Sequence, residues 1–404
     1  MTMRPFTATI SLEDALARID GCVAPVTRTE LIPLHEALGR VIAREAMADG
    51  DVPSFSRAAM DGYAVRAIDS AGASGDQPAT LRVVDRVFAG QVSARSVGQG
   101  ECVEIATGAP MPDGADAVVM VEDTEPGIDA HVRIRAAANP SQHVGRQGAD
   151  MRAGQVVLRE GTLLNASRVG ALAALGATEA AVYVKPRVAI LSTGNEIVEP
   201  GKPLNLGQIY DINRFTIGAV VTANGGVAEP HRTAADTLDA LVDAFDECLG
   251  ADVIVFSGGS SVGERDLIVD ALGQRGQIIF HGIAVKPGKP TVFGMVDHAL
   301  IFGMPGYPTS CLSNAYILLA PALRRLARLP VGLHRPVQAV LAQRITSVMG
   351  RHQFYTVRLV NGTALPAFKA SGDITSMSEA DGYIEIPAHV DALESGAVVE
   401  VHRF

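Results

Sequence analysis

Apolar residues recur at helical spacing near the start of the chain. Leu12, Ala15, Leu16 and Ile19 fall on one face, and Ser11 with Asp14 supplies the cap and capping-box pattern that opens a helix. From about Asp49 to Asp150 the pattern changes to short runs between Gly/Pro turns. Leu81–Val87, Glu101–Ile105, Ala117–Val121 and His131–Ile134 read as strands. A helical stretch follows over Leu163–Leu175 and stops near Gly176. Beyond Lys185-Pro186, strand, loop and helix alternate: Val188–Leu191, Phe215–Asn224, Val227–Pro230, Leu238–Cys248, Val253–Phe256 and Asp266–Leu272. Continuous Val/Ile/Leu strands alternating with helices predict a parallel sheet covered on both faces. Its last elements are strands Thr291–Phe293 and Leu300–Phe302 and a helix over Thr309–Arg328. After Pro330, Val337–Leu341, Tyr355–Leu359, Tyr383–Ile386 and Val398–Val401 predict a small all-β domain. No repeat or low-complexity tract interrupts this order.

Composition narrows the function classes. Of 404 residues 48% are hydrophobic and 19% charged, which fits a folded chain of two to four domains. A net charge of -10 argues against a general nucleic-acid binder, which needs clustered cations. The longest stretch without acidic or basic residues, Ala299–Leu323, is broken by Pro305-Gly-Tyr-Pro308 and followed by hydroxyl and amide residues, so no membrane span is expected. No secretory leader is read at the N-terminus. The four cysteines are far apart and form no CxxC pair, a pattern suited to reduced thiols in a cytoplasm.

In an open parallel sheet, ligands bind beyond the carboxyl ends of the strands. Four loops fall there or beside them: Ser192-Thr-Gly-Asn-Glu196, Ser257-Gly-Gly-Ser-Ser-Val-Gly-Glu-Arg-Asp266, Lys286-Pro-Gly-Lys-Pro290 and Pro305-Gly-Tyr-Pro-Thr-Ser310. The Ser257 loop reads either as a phosphate cradle or as a tight turn that needs glycine. The chain has only five lysines, and two of them, Lys286 and Lys289, stand three apart in a proline-framed segment expected to be rigid and extended. Compact ammonium groups suit phosphate or oxyanion; the plain alternative is two solvated surface lysines. Carboxylates Glu196, Glu264 and Asp266 accompany them, and lysine with carboxylate around phosphate suggests a divalent cation. Asp266 is the favoured carboxylate, with Glu264 assigned to the helix dipole. No histidine pair has zinc-ligand spacing. In Asp51–Val65, Asp61-Gly62 signals a turn, with Met60 and Tyr63 beside it. From the residues alone, the reading ends at an enzyme acting on an anionic ligand, with an α/β domain and accessory β domains.

Taken together, Val52-Pro-x-Phe55, Ala59-Met-Asp-Gly-Tyr-Ala64, Thr107-Gly-Ala-Pro110, Ser192-Thr-Gly-x-Glu196, Ser257-Gly-Gly-x-Ser-x-Gly263 and Lys286-Pro-Gly-Lys-Pro290 resemble, in order, the motifs of the molybdopterin molybdenumtransferases, the MoeA and gephyrin E-domain family. The resemblance spans nearly the whole chain. It implies a homodimer of multidomain α/β plus β subunits. The expected divisions are a helical/β dimerisation domain (1–47 with 152–184), an inserted β-rich domain (48–151), a three-layer α/β/α molybdopterin-binding domain (185–329) and a C-terminal β-barrel (330–404).

The implied activity takes adenylylated molybdopterin from an upstream adenylyltransferase, releases AMP and inserts molybdate into the dithiolene with help from Mg2+. The active cleft is expected between the third domain of one subunit and the second of the other. Catalytic roles would fall to Asp61, Glu196, Asp266, Lys286 and Lys289, and the cation to Asp61, Asp150 and Asp266. Substrate would be held by Thr107, Ser257, Gly258, Gly259, Ser260, Gly288, Pro305, Ser310 and Ser371. Four departures stand out: Gly282 and Thr356 where the family has cations, Thr233-Ala234 where it has Asp-Asp, and Tyr307 in its Pro-Gly-Asn-Pro loop. Arg358, two residues beyond Thr356, is expected on the same strand face. Alternatives are a tungstate-selective paralogue, a non-catalytic scaffold and the adenylyltransferase itself.

Overall fold

The computed structural model describes residues 9–231, 237–258, 267–330, 332 and 335–404. These fall in two compact units, one of Leu31–Leu38 with Ile42–Ala181, the other of Met1–Glu30, Gly39–Val41 and Val182–Phe404.

Helix α1 (Leu12–Cys22) begins where the cap pattern places it. Ser11 accepts from the Asp14 N–H at 3.0 Å, and Ala15 and Ile19 are buried. The smaller unit is built on a six-stranded sheet of β1 (Gly62–Val65), β2 (Ala79–Val87), β3 (Glu101–Ile105), β4 (Ala117–Met120), β5 (Thr124–Pro126) and β6 (His131–Ile134), in the order β4-β1-β3-β2-β6-β5. Its two faces bury separate cores, Val65, Leu81, Cys102 and Ile134 on one and Val87, Val103, Ile105 and Val118 on the other. Helix α2 (Ala166–Ala174) is capped by Asn165, which accepts from the Arg168 N–H at 3.0 Å.

The larger unit carries the predicted three layers. Its sheet comprises β7 (Arg187–Ser192), β8 (Val227–Pro230), β9 (Val253–Ser257), β10 (Gln277–His281), β12 (Val292–Val296) and β13 (Ala299–Met304), ordered β8-β7-β9-β13-β12-β10. The four strands β8, β7, β9 and β13 are parallel, and β12 alone is reversed, antiparallel both to β13 and to β10 on its other side. The sheet is therefore mixed rather than wholly parallel: only Asp297 and His298 separate β12 from β13, too short a link for the crossover that parallel strands need. Successive residues of β7 point to opposite faces. Val188 and Ile190 pack with α3 (Asn213–Ala223), α6 (Pro308–Asn314), α7 (Ala320–Leu326) and α1, whereas Ala189 and Leu191 pack with α4 (Leu238–Asp246) and α5 (Leu267–Arg275). The helix expected over Thr309–Arg328 is interrupted by one wide turn at Ala315–Leu319.

Strands β14 (Val337–Leu341), β15 (His352–Val360), β16 (Thr363–Pro366), β17 (Gly382–Ile386) and β18 (Val398–Arg403) close into a five-stranded barrel, because β15 pairs with both β16 and β17. A two-residue strand, β11 (Val285–Lys286), adds to its edge through β15. The barrel has its own core, with Leu341, Val357, Ile384 and Val401 buried.

Candidate active site

Three parallel strands end level with one another. Ser192 pairs with Ser257 and Ser257 with Met304, so the loops that follow emerge at one edge of the sheet. The Ser192 and Ser257 hydroxyls lie 3.5 Å apart and both residues are buried. Thr193 N–H donates to the Ser257 carbonyl at 3.0 Å, and Gly258 N–H to the Met304 carbonyl at 3.3 Å. Gly258 has φ +101°, and a Cβ there would meet the Thr193 carbonyl oxygen at 2.4 Å. The glycine thus permits a close crossing of two loops. Gly259, Ser260, Glu264 and Asp266 lie outside the described residues. Glu196 is exposed, and its carboxylate folds back over Gly194, whose Cβ would sit 2.7 Å from Oε2.

The lysine segment is held from beneath. Lys286 ends β11 against Gln353, and both lysines are half-buried. Gly288 has φ +106°, so the segment turns at its centre instead of running extended as expected. Its carbonyl accepts from Asn314 Nδ2 at 3.0 Å and from Thr291 Oγ1 at 2.8 Å, and Asn314 Nδ2 also lies 2.5 Å from Thr291 Oγ1. The Lys289 carbonyl accepts from the Ile283 and Thr291 N–H groups. Asn314 and Thr291 are fully buried, so these bonds fix the backbone between the two ammonium groups.

Pro305 is buried, Pro308 starts α6, and Ser310 is buried in its first turn. Thr309 N–H donates to the Ser371 carbonyl at 3.0 Å and its hydroxyl to the Asp373 carbonyl at 2.9 Å. Ser310 and Ser371 are thereby brought onto touching segments that are far apart in the chain. Tyr307 is exposed, its ring 3.8 Å from the Cβ position of Gly372.

In the smaller unit Asp61 and Thr107 meet. The Thr107 N–H donates to Asp61 Oδ1 at 2.6 Å, and the Thr107 hydroxyl joins it. These donors, the N–H first, hold the exposed Asp61 carboxyl below the usual aspartate range. Gly62 does more than turn the chain: it opens β1 with a Cβ position 1.9 Å from the Val119 carbonyl oxygen, space that only glycine fits. Asp150 is exposed, and its N–H donates to the Val52 carbonyl. Asp51, not singled out from sequence, holds the loop around Asp150 by accepting from Ala153 N–H at 3.0 Å and Gln147 Nε2 at 2.9 Å.

Sequence reading also missed Asn314, whose role depends on contacts with segments more than twenty residues away, and the buried Asp211 and Asn213. Of the departures, Gly282 has φ +89°, a conformation that a lysine would adopt only under strain. Thr356 is buried whereas Arg358 is exposed. Thr233-Ala234 lie outside the described residues. Among the described residues no group of three or more His, Cys, Asp or Glu side chains converges as a metal cage, and no helix is long and apolar enough to cross a membrane.

With this geometry in place, likeness to known proteins decides the family. The family described as "MoeA N-terminal region (domain I and II)" matches residues 10–176. "Probable molybdopterin binding domain" matches 189–325, and "MoeA C-terminal region (domain IV)" matches 338–404. Molybdopterin molybdenumtransferase 2 of Mycobacterium tuberculosis is 35% identical over 382 residues, which cover 92% of this chain and 94% of that protein. The chain belongs to the MoeA family of molybdopterin molybdenumtransferases. The Haemophilus influenzae molybdopterin molybdenumtransferase is 38% identical over 306 residues, 74% of this chain and 73% of its own. A crystal structure of a molybdopterin biosynthesis MoeA protein from Pyrococcus horikoshii superposes with TM-score 0.86 at 38% identity, over 98% of both chains. As a member of the MoeA family, the protein works in molybdenum cofactor biosynthesis as a molybdopterin molybdenumtransferase.

Proposed function

We propose that the protein accepts adenylylated molybdopterin, hydrolyses the phosphoanhydride with release of AMP, and inserts molybdate into the dithiolene. The observation that carries this reading is the clamp of Gly288 onto Asn314 and Thr291, which presents Lys286 and Lys289 on a fixed turn. Two ammonium groups held in advance stabilise negative charge that builds up on phosphate or molybdate oxygens, without reorganisation as the reaction proceeds. Ser310 and Ser371 supply hydroxyl donors from adjoining segments. Asp61, kept ionised by Thr107, acts as an acceptor for a water or substrate proton.

Mg2+ belongs to this proposal through the chemistry of its donors. Asp61 and Asp150 offer exposed carboxylate oxygens, and Mg2+ takes few protein ligands beside phosphate. When bound, it neutralises phosphate charge. Homodimerisation, a cytoplasmic setting, the four-domain division and supply of substrate by an adenylyltransferase complete the reading.

The test incubates purified protein with adenylylated molybdopterin and molybdate, measuring AMP by chromatography and active cofactor by reconstitution of a molybdenum-free apoenzyme. AMP together with active cofactor is the expected result. Adenylylation of free molybdopterin with ATP would assign the preceding step instead, and neither reaction would leave a scaffold. Replacing molybdate by tungstate reads the metal preference, and sedimentation the dimer.

A further inference from the structure

Arg324, near the end of α7, is only 8% exposed, and no acidic side chain among the described residues pairs with it. Its Nε and Nη2 donate to the Pro330 carbonyl at 2.8 and 2.6 Å, which ties down the chain after α7. Its Nη1 reaches only Asn224 Oδ1, at 3.5 Å. The next residue, Arg325, is by contrast paired with Asp20. Burial lowers the Arg324 pKa, with no anion close by to hold it up. A buried cation is ordinarily matched by an anion, so this guanidinium marks a place where one belongs.

The residue lines a cavity of about 530 Å³ between helices α3, α6 and α7 and the barrel strands β17 and β18. Ala219 and Ala223, one turn apart on α3, and Ala320 on α7 leave the room, because none carries a side chain beyond Cβ. The barrel wall is aromatic. Tyr383 of β17 stacks on His402 of β18 at 5.3 Å, and Phe404 lies 4.8 Å from Tyr316. Tyr316 stands in the wide turn at Ala315–Leu319, a helix irregularity of the kind often found at functional sites. No side chain lining the cavity is acidic, whereas Arg403 joins Arg324 there as a second cation. Glu385, beside His402 on the barrel face, is engaged by His352 Nε2 at 3.0 Å. A space of this size with aromatic walls takes a ring system and buries most of it. A planar guanidinium with Nη1 uncommitted suits a carboxylate.

We propose that this cavity binds a small aromatic carboxylate, its ring against Tyr316, Tyr383 and Phe404 and its carboxylate on Arg324, so that the ligand bridges the α/β helices and the barrel. The cavity shares no residue with the candidate active site and is independent of which reaction that site carries out.

The probe is naphthalene-2-carboxylate, titrated into the full-length protein and followed by its own fluorescence, which a chain without tryptophan leaves clear. Wild type is expected to saturate below about 1 mM, and naphthalene-2-carboxamide, the same ring without the charge, to bind at least about tenfold more weakly. Ala219→Leu fills the cavity from α3 and leaves Arg324 in place. It is expected to weaken the carboxylate at least about tenfold with a melting temperature no lower than wild type. Arg324→Gln is expected to bring the carboxylate down to the affinity of the carboxamide; should that variant not fold, the carboxamide and Ala219→Leu carry the test. Lys289→Ala is expected to bind the probe as wild type does. No saturation by millimolar probe, equal affinity for carboxylate and carboxamide, or wild-type affinity in Ala219→Leu or in folded Arg324→Gln would each overturn the proposal. A loss of binding in Lys289→Ala would overturn it too, by placing the anion at the lysine turn.

Discussion

The backbone N–H of Thr107 points at the carboxylate of Asp61 from 2.6 Å, joining two residues 46 apart in the chain. This bond, backed by the Thr107 hydroxyl, depresses the Asp61 pKa. A depressed carboxyl stabilises the fold above the ordinary aspartate range, and that contribution disappears as pH falls through the lowered value. Asp61→Asn is therefore expected to be less stable than wild type at pH 6, with the gap closing once the pH drops below about 3.9, the ordinary aspartate value. Urea midpoints at both pH values check this. AMP release by the same variant should fall at least about a hundredfold.

Lys289→Ala removes one of the two ammonium groups and leaves the Gly288 turn in place. A fall in AMP release of at least about a hundredfold, with little change in melting temperature, is expected. A variant as active as wild type would move the anion site elsewhere.

Gly288→Ala tests the clamp beneath the lysines. The new Cβ would lie 2.4 Å from Asn314 Oδ1 on backbone at φ +106°, so both sterics and conformation oppose it. Asn314→Ala removes one of the two partners of the Gly288 carbonyl and of the Thr291 hydroxyl, which still bond each other, at a cost of about 0.5–1.5 kcal/mol for each buried hydrogen bond lost. Denaturation curves should show both variants destabilised. Gly288→Ala should also lose AMP release, because its turn positions both lysines.

In the barrel, Glu385 faces His352 Nε2 at 3.0 Å and His402 Nε2 at 3.8 Å. Burial pushes the Glu385 carboxyl up, yet the His352 hydrogen bond and the charges of both imidazoles leave it below the usual range. By the same sign rule its contribution is present above about pH 4.3, the ordinary glutamate value, and is lost as acid protonates it. Glu385→Gln should lower the melting temperature at pH 6 and converge on wild type near pH 3.

Burial pushes the Cys102 and Cys248 thiols up to about 12 and raises Cys311 as well, whereas Cys22 is only partly buried. At pH 8 a thiol reagent should label at most Cys22 in the native protein and all four cysteines after denaturation. Rapid labelling of more than one native thiol would contradict the packing described.

Much of the architecture was legible along the chain because local rules act within a few residues. Ser11 caps α1, and Val188–Leu191 and Val253–Phe256 read as buried strands on continuous apolar runs alone. The reversed direction of β12 was not legible, since a strand's residues do not record which way its neighbour runs. Gln277–His281 was not singled out as a strand at all.

The sequence by itself determined which residue types could do the chemistry: scarce lysines framed by proline, hydroxyl loops after apolar strands, and an Asp-Gly pair read as a turn. Only the tertiary structure decided how those residues are held. Asn314 beneath Gly288, Thr107 on Asp61, Ser371 beside Ser310 and the cavity beside Arg324 all arise between segments far apart in the chain. Hydrogen-bond geometry and burial exist only once those segments are packed, and no local periodicity encodes them.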